Sequence, residues 1–449
     1  MLGTFDMHSP RRHALRQHPP FPAAIAPVRG LIGLLAVGAA ALLACAPVQA
    51  ADAWGYQDLG SLGGTFVGPM AAKSTGIGVG QAFTAQGGSS SFVYGGGSIS
   101  DLGTLGGSSA SSYYVNAAGT VAGQSFTAGN SANHAFVYAA GKVNDIGTLG
   151  GSNSYVTGLN ASGQVAGYSD VRGNVGTHAF LFSGGKLNDL GTLGGSTSAA
   201  AGINDTGQVV GSAYPANDAS SHAFLTRVGG SMSDLGTLGG SSSFATAINA
   251  YGVVIGDSFV ASDSARHAFS YANGKMIDIG TLGGSNSTAV AINRAGQIIG
   301  NADLSGNSAS HAFMFSNGVL TDLGTLGGTH SAALGINSFG QIVGTSDTAG
   351  DAAQHVFVYR DGKMFDLSAF LPDLTSFVVA GINDAIQVIG SAVSRTGLAR
   401  GLIVSAVPEP DGANVALTGM AAVIALSRWR ARKARLALRR GVPDFTLGE

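Results

Sequence analysis

The chain has 449 residues, enough for one large domain or two to three ordinary ones. Only 11% of residues are charged, so disorder through self-repulsion is excluded, and 71 glycines with 12 prolines fall short of a low-complexity composition. Residues 51–406 hold 20 Asp, no Glu and 12 Lys plus Arg, a mildly acidic balance that argues against binding a nucleic-acid backbone.

Residues 1–50 read as a secretory signal. Arg11, Arg12, Arg16 and Arg29 precede an apolar run from Leu31 to Ala46. Val48-Gln49-Ala50 then supplies the small residues that a signal peptidase requires, with cleavage after Ala50. Leu42-Leu43-Ala44-Cys45 offers a lipoprotein box as the alternative, with lipidation at Cys45. Cys45 is the only cysteine. A processed chain starting at Ala51 has no disulfide, catalytic thiolate or thiolate metal site.

From residue 51 to 406 one phrase recurs. Asp145-Ile146-Gly147-Thr148-Leu149-Gly150-Gly151 has counterparts starting at Asp58, Asp101, Asp189, Asp234, Asp278 and Asp322, and decays at Asp366. Steps of 43 to 45 residues signal a repeat architecture. Each repeat reads as four short strands. In one copy these are Ser198–Asn204, Gln208–Ser212, His222–Thr226 and a strand ending at Asp234, separated by Gly, Asn and Asp turns. An Asn precedes the first turn at 116, 160, 204, 249, 293, 337 and 383, with Lys73 in the first copy. A histidine opens the third strand at His134, His178, His222, His267, His311 and His355, replaced by Ser90 in the first copy and Arg400 in the last.

The phase of the two ends decides the topology. The body opens on a lone fourth strand, residues 54–59, and closes on a first, second and third strand, residues 376–405. Complementary fragments suit a closed ring, which leaves no free sheet edge. The expectation is an all-β, eight-bladed β-propeller of four-stranded antiparallel blades. The alternatives are seven blades, with residues 54–100 partly outside, and an open β-solenoid capped at its ends.

The His-Ala-Phe runs at 134–136, 178–180, 222–224, 267–269 and 311–313 resemble the HAF repeats of extracellular bacterial proteins. That resemblance covers nearly all of residues 55–405. It implies an exported protein, supplies no catalytic residue and implies no established activity.

Residues 407–449 have three parts. Val407-Pro408-Glu409-Pro410 comes first, an apolar stretch 413–427 follows, and Arg428, Arg430, Arg432, Lys433 and Arg435 open a basic tail. The stretch is shorter than a comfortable membrane span, and by hydropathy alone it reads equally as a weakly anchored amphipathic tail. The trio is similar to a PEP-CTERM sorting signal of Gram-negative bacteria, apart from the extra residues running on to Glu449. The similarity implies an exosortase-type processing enzyme as partner. It also implies a precursor held in the inner membrane through 413–427, and an extracellular or outer-surface address.

Candidate chemistry is sparse. The six histidines at one strand's start and the aspartates at the next strand's end, with Asp101, Asp145, Asp189, Asp234, Asp278 and Asp322 as the recurring set, are repeated polar marks that read as a structural hydrogen bond rather than a metal site. Asp170, Asp218, Asp257, Asp263, Asp303, Asp347, Asp351 and Asp373 stand off that pattern, mostly in polar loops. Such oxygen-rich loops suit calcium if they suit any cofactor, although none has a known calcium-loop spacing. No catalytic, metal or cofactor-binding residue is assigned. The expected function is a non-enzymatic surface or matrix protein that binds exopolysaccharide or a surface protein through propeller loops. The alternative is a secreted propeller enzyme on polysaccharide, with residues from non-repeated loops in the central channel.

Overall fold

The structure, a computed structural model, describes residues 54–73, 76–226 and 231–406. The expected leader with Cys45 and Ala50, and the expected sorting signal over 407–449, lie outside the described residues. Among the described residues no helix is long and apolar enough to cross a membrane.

Thirty-two strands form an all-β ring. In the fourth unit the strands are Gly194–Ile203, Val209–Pro215, His222–Thr226 and Met232–Asp234, paired antiparallel in that order. Backbone pairing gives seven sheets, six of four strands and one of eight. The eight-stranded sheet contains two four-strand units, starting at Gly63 and Gly106, joined by a single parallel pair, Ser89 with Ser109. The expectation of eight separate sheets is thus corrected to the alternative's seven, while the four-strand units number eight. Gln81 explains the joint: its amide donates to both Ser89 and Ser109, which also bond each other. Residues 54–100, which the seven-blade alternative set partly outside, belong to the ring.

The ring closes as the phase of the ends requires. Trp54–Asp58 pairs antiparallel with Ala399–Ala406, from Trp54 opposite Ala406 to Asp58 opposite Leu402. The chain's first described strand is therefore the outer strand of its last unit. Leu59 donates its N–H to the Gly401 carbonyl, and Arg400 pairs with Asp58 at 2.6 Å.

Seven of the eight units are built around a glycine and a phenylalanine; in the last, Leu402 stands opposite Gly390 in place of the phenylalanine. On the second strand, Gly211 lies so close to the first strand that a Cβ there would sit 2.0 Å from the Ala199 carbonyl oxygen. At the equivalent Gly167 an added Cβ would also meet the Phe180 ring at 2.5 Å. Phe92, Phe136, Phe180, Phe224, Phe269, Phe313 and Phe357 are all fully buried. A side chain at that glycine would expel the ring, so the glycine and the phenylalanine of His-Ala-Phe are one device.

Seams between units are closed by polar staples. The Asn116 amide donates to the Asn160 carbonyl, and Asn160 to Asn204, Asn204 to Asn249, Asn249 to Asn293, Asn293 to Asn337 and Asn337 to Asn383. Asn383 completes the circuit on Lys73 at 3.3 Å. These asparagines are buried, and most also accept N–H bonds from their own turns, as Asn204 does from Thr206 and Gln208. A second set uses buried serines. Ser198 accepts the Ala179 N–H of the preceding unit and donates to the Gly191 carbonyl of the link; Ser154, Ser243, Ser287 and Ser331 do the same.

Two outcomes test this account by chemical denaturation. Phe224→Ala costs about 3–5 kcal/mol through the cavity it leaves. Asn204→Ala costs about 1–3 kcal/mol, because the Asn249 carbonyl and two turn N–H groups lose a buried partner.

Candidate functional site

The histidine–aspartate pairs are rim hydrogen bonds within each unit. His134 Nδ1 lies 2.8 Å from Asp145 Oδ2, and the pairs at His178, His222, His267, His311 and His355 span 2.8–3.0 Å. The other oxygen of Asp145 accepts the Gly147 N–H at 2.7 Å, and Asp101, Asp189, Asp234, Asp278 and Asp322 repeat this turn. Ser90 donates to Asp101 in the first unit, and Arg400 to Asp58 in the last. Every unit thus ties its third strand to its fourth with one side-chain bond to an aspartate.

Three of the eight acids set off the pattern obey a repeat of their own. Asp218, Asp263 and Asp351 share a position with Asn130, Asn174 and Asn307, all at φ between 48° and 58°. Each accepts an N–H from the residue after the Gly-Gly pair, 22 positions earlier, at 2.6–2.9 Å. Asn and Asp tolerate that left-handed backbone and offer the same acceptor oxygen, which is why they interchange. Two N–H and O–H donors from Thr329 hold the Asp351 carboxyl below its ordinary pKa. Asp170 and Asp303 accept from Asn153 and Asn286. Among the described residues no three His, Cys, Asp or Glu cluster as metal ligands.

The inner strands are chemically plain. The first strand of each unit lies against the first strands of both neighbours, nearest the ring axis, and except for Gly106–Val115 it is a sheet edge. All eight of them, Gly63–Ala72 to Leu374–Ile382, lack Asp, Glu, Lys and Arg. Their one histidine, His330, accepts the Ser310 N–H. They do carry Tyr113, Tyr114 and Tyr155, and burial pushes the Tyr114 hydroxyl up, away from any role as a base near neutrality. The buried ion pair Asp257–Arg266 belongs to a seam: Asp257 accepts the Ala289 N–H of the next unit, as Asn301 does from Ala333. Burial raises the Asp257 pKa, and Arg266 opposes that shift.

The face carrying the first-to-second and third-to-fourth turns departs most from the repeat. Its turns hold seven of the eleven described cations: Lys73, Lys142, Lys186, Lys275, Arg294, Arg360 and Lys363. Only Asp205, Asp361 and Asp384 accompany them, a net of +4. The other sixteen described aspartates lie toward the link-and-loop face or, for Asp257, in mid-strand, together with Arg172, Arg266, Arg395 and Arg400. The composition argument against a basic face is therefore too coarse, because the acidity is segregated.

On this face an open depression of about 410 Å³ spans units five to seven, lined by Asn249, Tyr251, Val253, Arg294, Ala295, Gly296 and Ser338. Its cause is a missing side chain. Gln164, Gln208 and Gln297 each reach the turn glycine of the following unit, where an added Cβ would meet them at 2.7–3.2 Å. Unit five has Val253 instead, and Gly296 has nothing within 4 Å. Thr120 likewise leaves Gly163 bare, but only alanine and serine turn residues flank it there. At Gly296 the flanks are Tyr251, 71% exposed, and Arg294, whose guanidinium carbon lies 5.9 Å from the Tyr251 ring centre. Phe339, 72% exposed, stands one turn further on. Nothing in the sequence alone singled out these residues; the signal was there as Val where the turn motif has Gln.

The loop acids are engaged with backbone donors, so adding a chelator should leave the thermal midpoint unchanged in calorimetry; a fall of several degrees would reveal bound calcium. His222→Gln should cost about 1 kcal/mol, the worth of one partly exposed hydrogen bond.

No family model and no curated protein matches the chain. Among solved structures it is similar to the β-propeller domain of the trilobed protease from Pyrococcus furiosus, at 9% identity and TM-score 0.40, covering 64% of this chain and 91% of that one. It is similar to dipeptidyl peptidase 4 from Porphyromonas gingivalis, at 11% and 0.47, covering 72% and 57%. It is also similar to TolB from Acinetobacter baumannii, at 12% and 0.34, covering 61% and 60%. The chain thus spans under two thirds of the latter two, and the likeness is one of fold alone.

Proposed function

We propose that this chain is an exported, surface- or matrix-associated propeller that binds a glycan or a surface protein and performs no catalysis. The observation that carries the reading is the absence of acids and cations from the eight inner strands. Propeller hydrolysis of a polysaccharide would need two carboxyl groups held at a set separation in unlike surroundings. Here the aspartates recur in like surroundings and are spent on turns, loops and seams.

Binding, by contrast, needs a place where the repeat is broken and exposed side chains converge. The turn face supplies it at Tyr251, Arg294 and Phe339. Export rests on the leader ending at Ala50 and on the Val407-Pro408-Glu409-Pro410 tail, which would engage an exosortase-type enzyme before release to the outer surface or exopolysaccharide.

Two measurements test the proposal in a Gram-negative host carrying an exosortase. Mass spectrometry of the exported protein should give an N-terminus at Ala51; a lipid-modified Cys45 would reject the cleavage site. The whole chain on a glycan array should be retained with no sugar released from polysaccharide substrates. Product release without retention would favour the enzyme reading instead.

A further inference from the structure

We propose that the depression between the turns of units five and six is a binding subsite for a carboxylated sugar, a uronate-type residue of an acidic polysaccharide. This deepens the binding reading above and rests on it.

Three observations converge on that chemistry. The first is shape. Val253 stands where Gln164, Gln208 and Gln297 each cover the turn glycine of the following unit, and Gly296 presents bare backbone at the floor of the depression. A missing plug on an otherwise repeated surface leaves room for a ring-sized guest without disturbing the core.

The second is the pair of walls. Tyr251 offers an exposed aromatic face, suited to the apolar face of a pyranose ring. Arg294 lies over one face of that ring, its guanidinium carbon 5.9 Å from the centre, which leaves the other face to a guest; among the described residues it forms no ion pair with a carboxylate. The Tyr251 hydroxyl beside it, and more weakly the charge of Asp205 two units away, hold the guanidinium protonated. A guanidinium free to make two parallel hydrogen bonds is the group that best distinguishes a planar carboxylate from a hydroxyl.

The third is the field around the site. Lys275, Arg360 and Lys363 lie on the same side of the ring, and the balance of that face is positive while the opposite face is strongly negative. Such a face attracts a polyanion and orients its approach. Nucleic acid and anionic lipid share the charge but lack the fit: one shallow depression with one aromatic and one arginine reads a single sugar ring, not a phosphate backbone.

The repeat itself supplies the controls. Val253→Gln installs the residue found at Gln164, Gln208 and Gln297. Arg294→Ala and Tyr251→Ala install residues that other turns carry at the same positions, Ala161 and Ala118. None of the three should alter the thermal midpoint, and that is measured alongside. Binding of the full exported chain to polygalacturonate oligomers is measured by calorimetry, against the methyl-esterified oligomers, a neutral dextran, duplex DNA and phosphatidylglycerol vesicles. We expect binding to the acid form, with roughly tenfold loss on esterification, in Arg294→Ala and in Val253→Gln, and a smaller loss in Tyr251→Ala. Equal binding of acid and ester, or undiminished binding by folded Arg294→Ala and Val253→Gln, overturns the subsite. So does DNA or vesicle binding as tight as that of the acid oligomer. If the chain is retained on neutral glycans but not on the acid oligomers, the subsite fails while the general binding reading stands.

Discussion

Everything in this molecule depends on the seam between adjacent four-strand units. A single unit of about 44 residues is too small to bury both faces of its sheet, and its apolar side chains gain their burial only when a neighbour covers them. Yet a seam made only of valine, isoleucine and phenylalanine would let units slide. The polar staples prevent that. Each asparagine amide reaches a backbone carbonyl in the next unit, and each buried serine bridges the third strand of one unit to the link that leaves it. A buried amide without its partner costs more than the bond gains when made, so these contacts specify register more than they add stability. The circuit ends on Lys73, where Asn383 still finds a carbonyl to receive it. There the ring closes through backbone chemistry, even though the first unit has lost the motif.

The architecture was legible in the sequence because repetition amplifies weak signals. One Asn-x-x-Gly turn says little, but six at one period say that the chain turns in register. The complementary ends, Trp54–Asp58 and Ala399–Ala406, led directly to the closing strand pair. Less legible was the way backbone bonding divides the ring. The sheet that joins the first two units arises from one parallel contact, Ser89 with Ser109, supported by the Gln81 amide. A local side-chain choice of this kind leaves no periodic mark.

The loop acids were misread for a related reason. Asp218, Asp263 and Asp351 looked irregular because other units carry Asn at that place. Physically the position asks for a short side chain that tolerates positive φ and offers one acceptor oxygen, and both residues satisfy it. A comparison by residue identity sees variation where a comparison by hydrogen-bonding role sees constancy. Net charge failed in the same manner. A strand that ends in aspartate and begins in lysine sends opposite charges to opposite faces, and summing over the chain erases that polarity.

In a protein this regular, information about function resides in departures from the repeat, but departures differ in kind. Ser90 and Arg400 replace histidine and still bond the same aspartate, so they preserve the role. Asp257 accepts the neighbouring unit's N–H as Asn301 does at the same position, at the cost of a buried carboxylate that Arg266 must answer. Val253, like Ile77 and Thr120, is different, because nothing takes over what the glutamine covers in other units; only at Val253 do large side chains flank the gap. The space stays open, and the two residues beside it, Tyr251 and Arg294, are larger than their counterparts in most other turns. Compensated departures maintain the ring; an uncompensated one, at the surface, with an aromatic and a free guanidinium at its edges, is where a ring built for stability acquires something to bind.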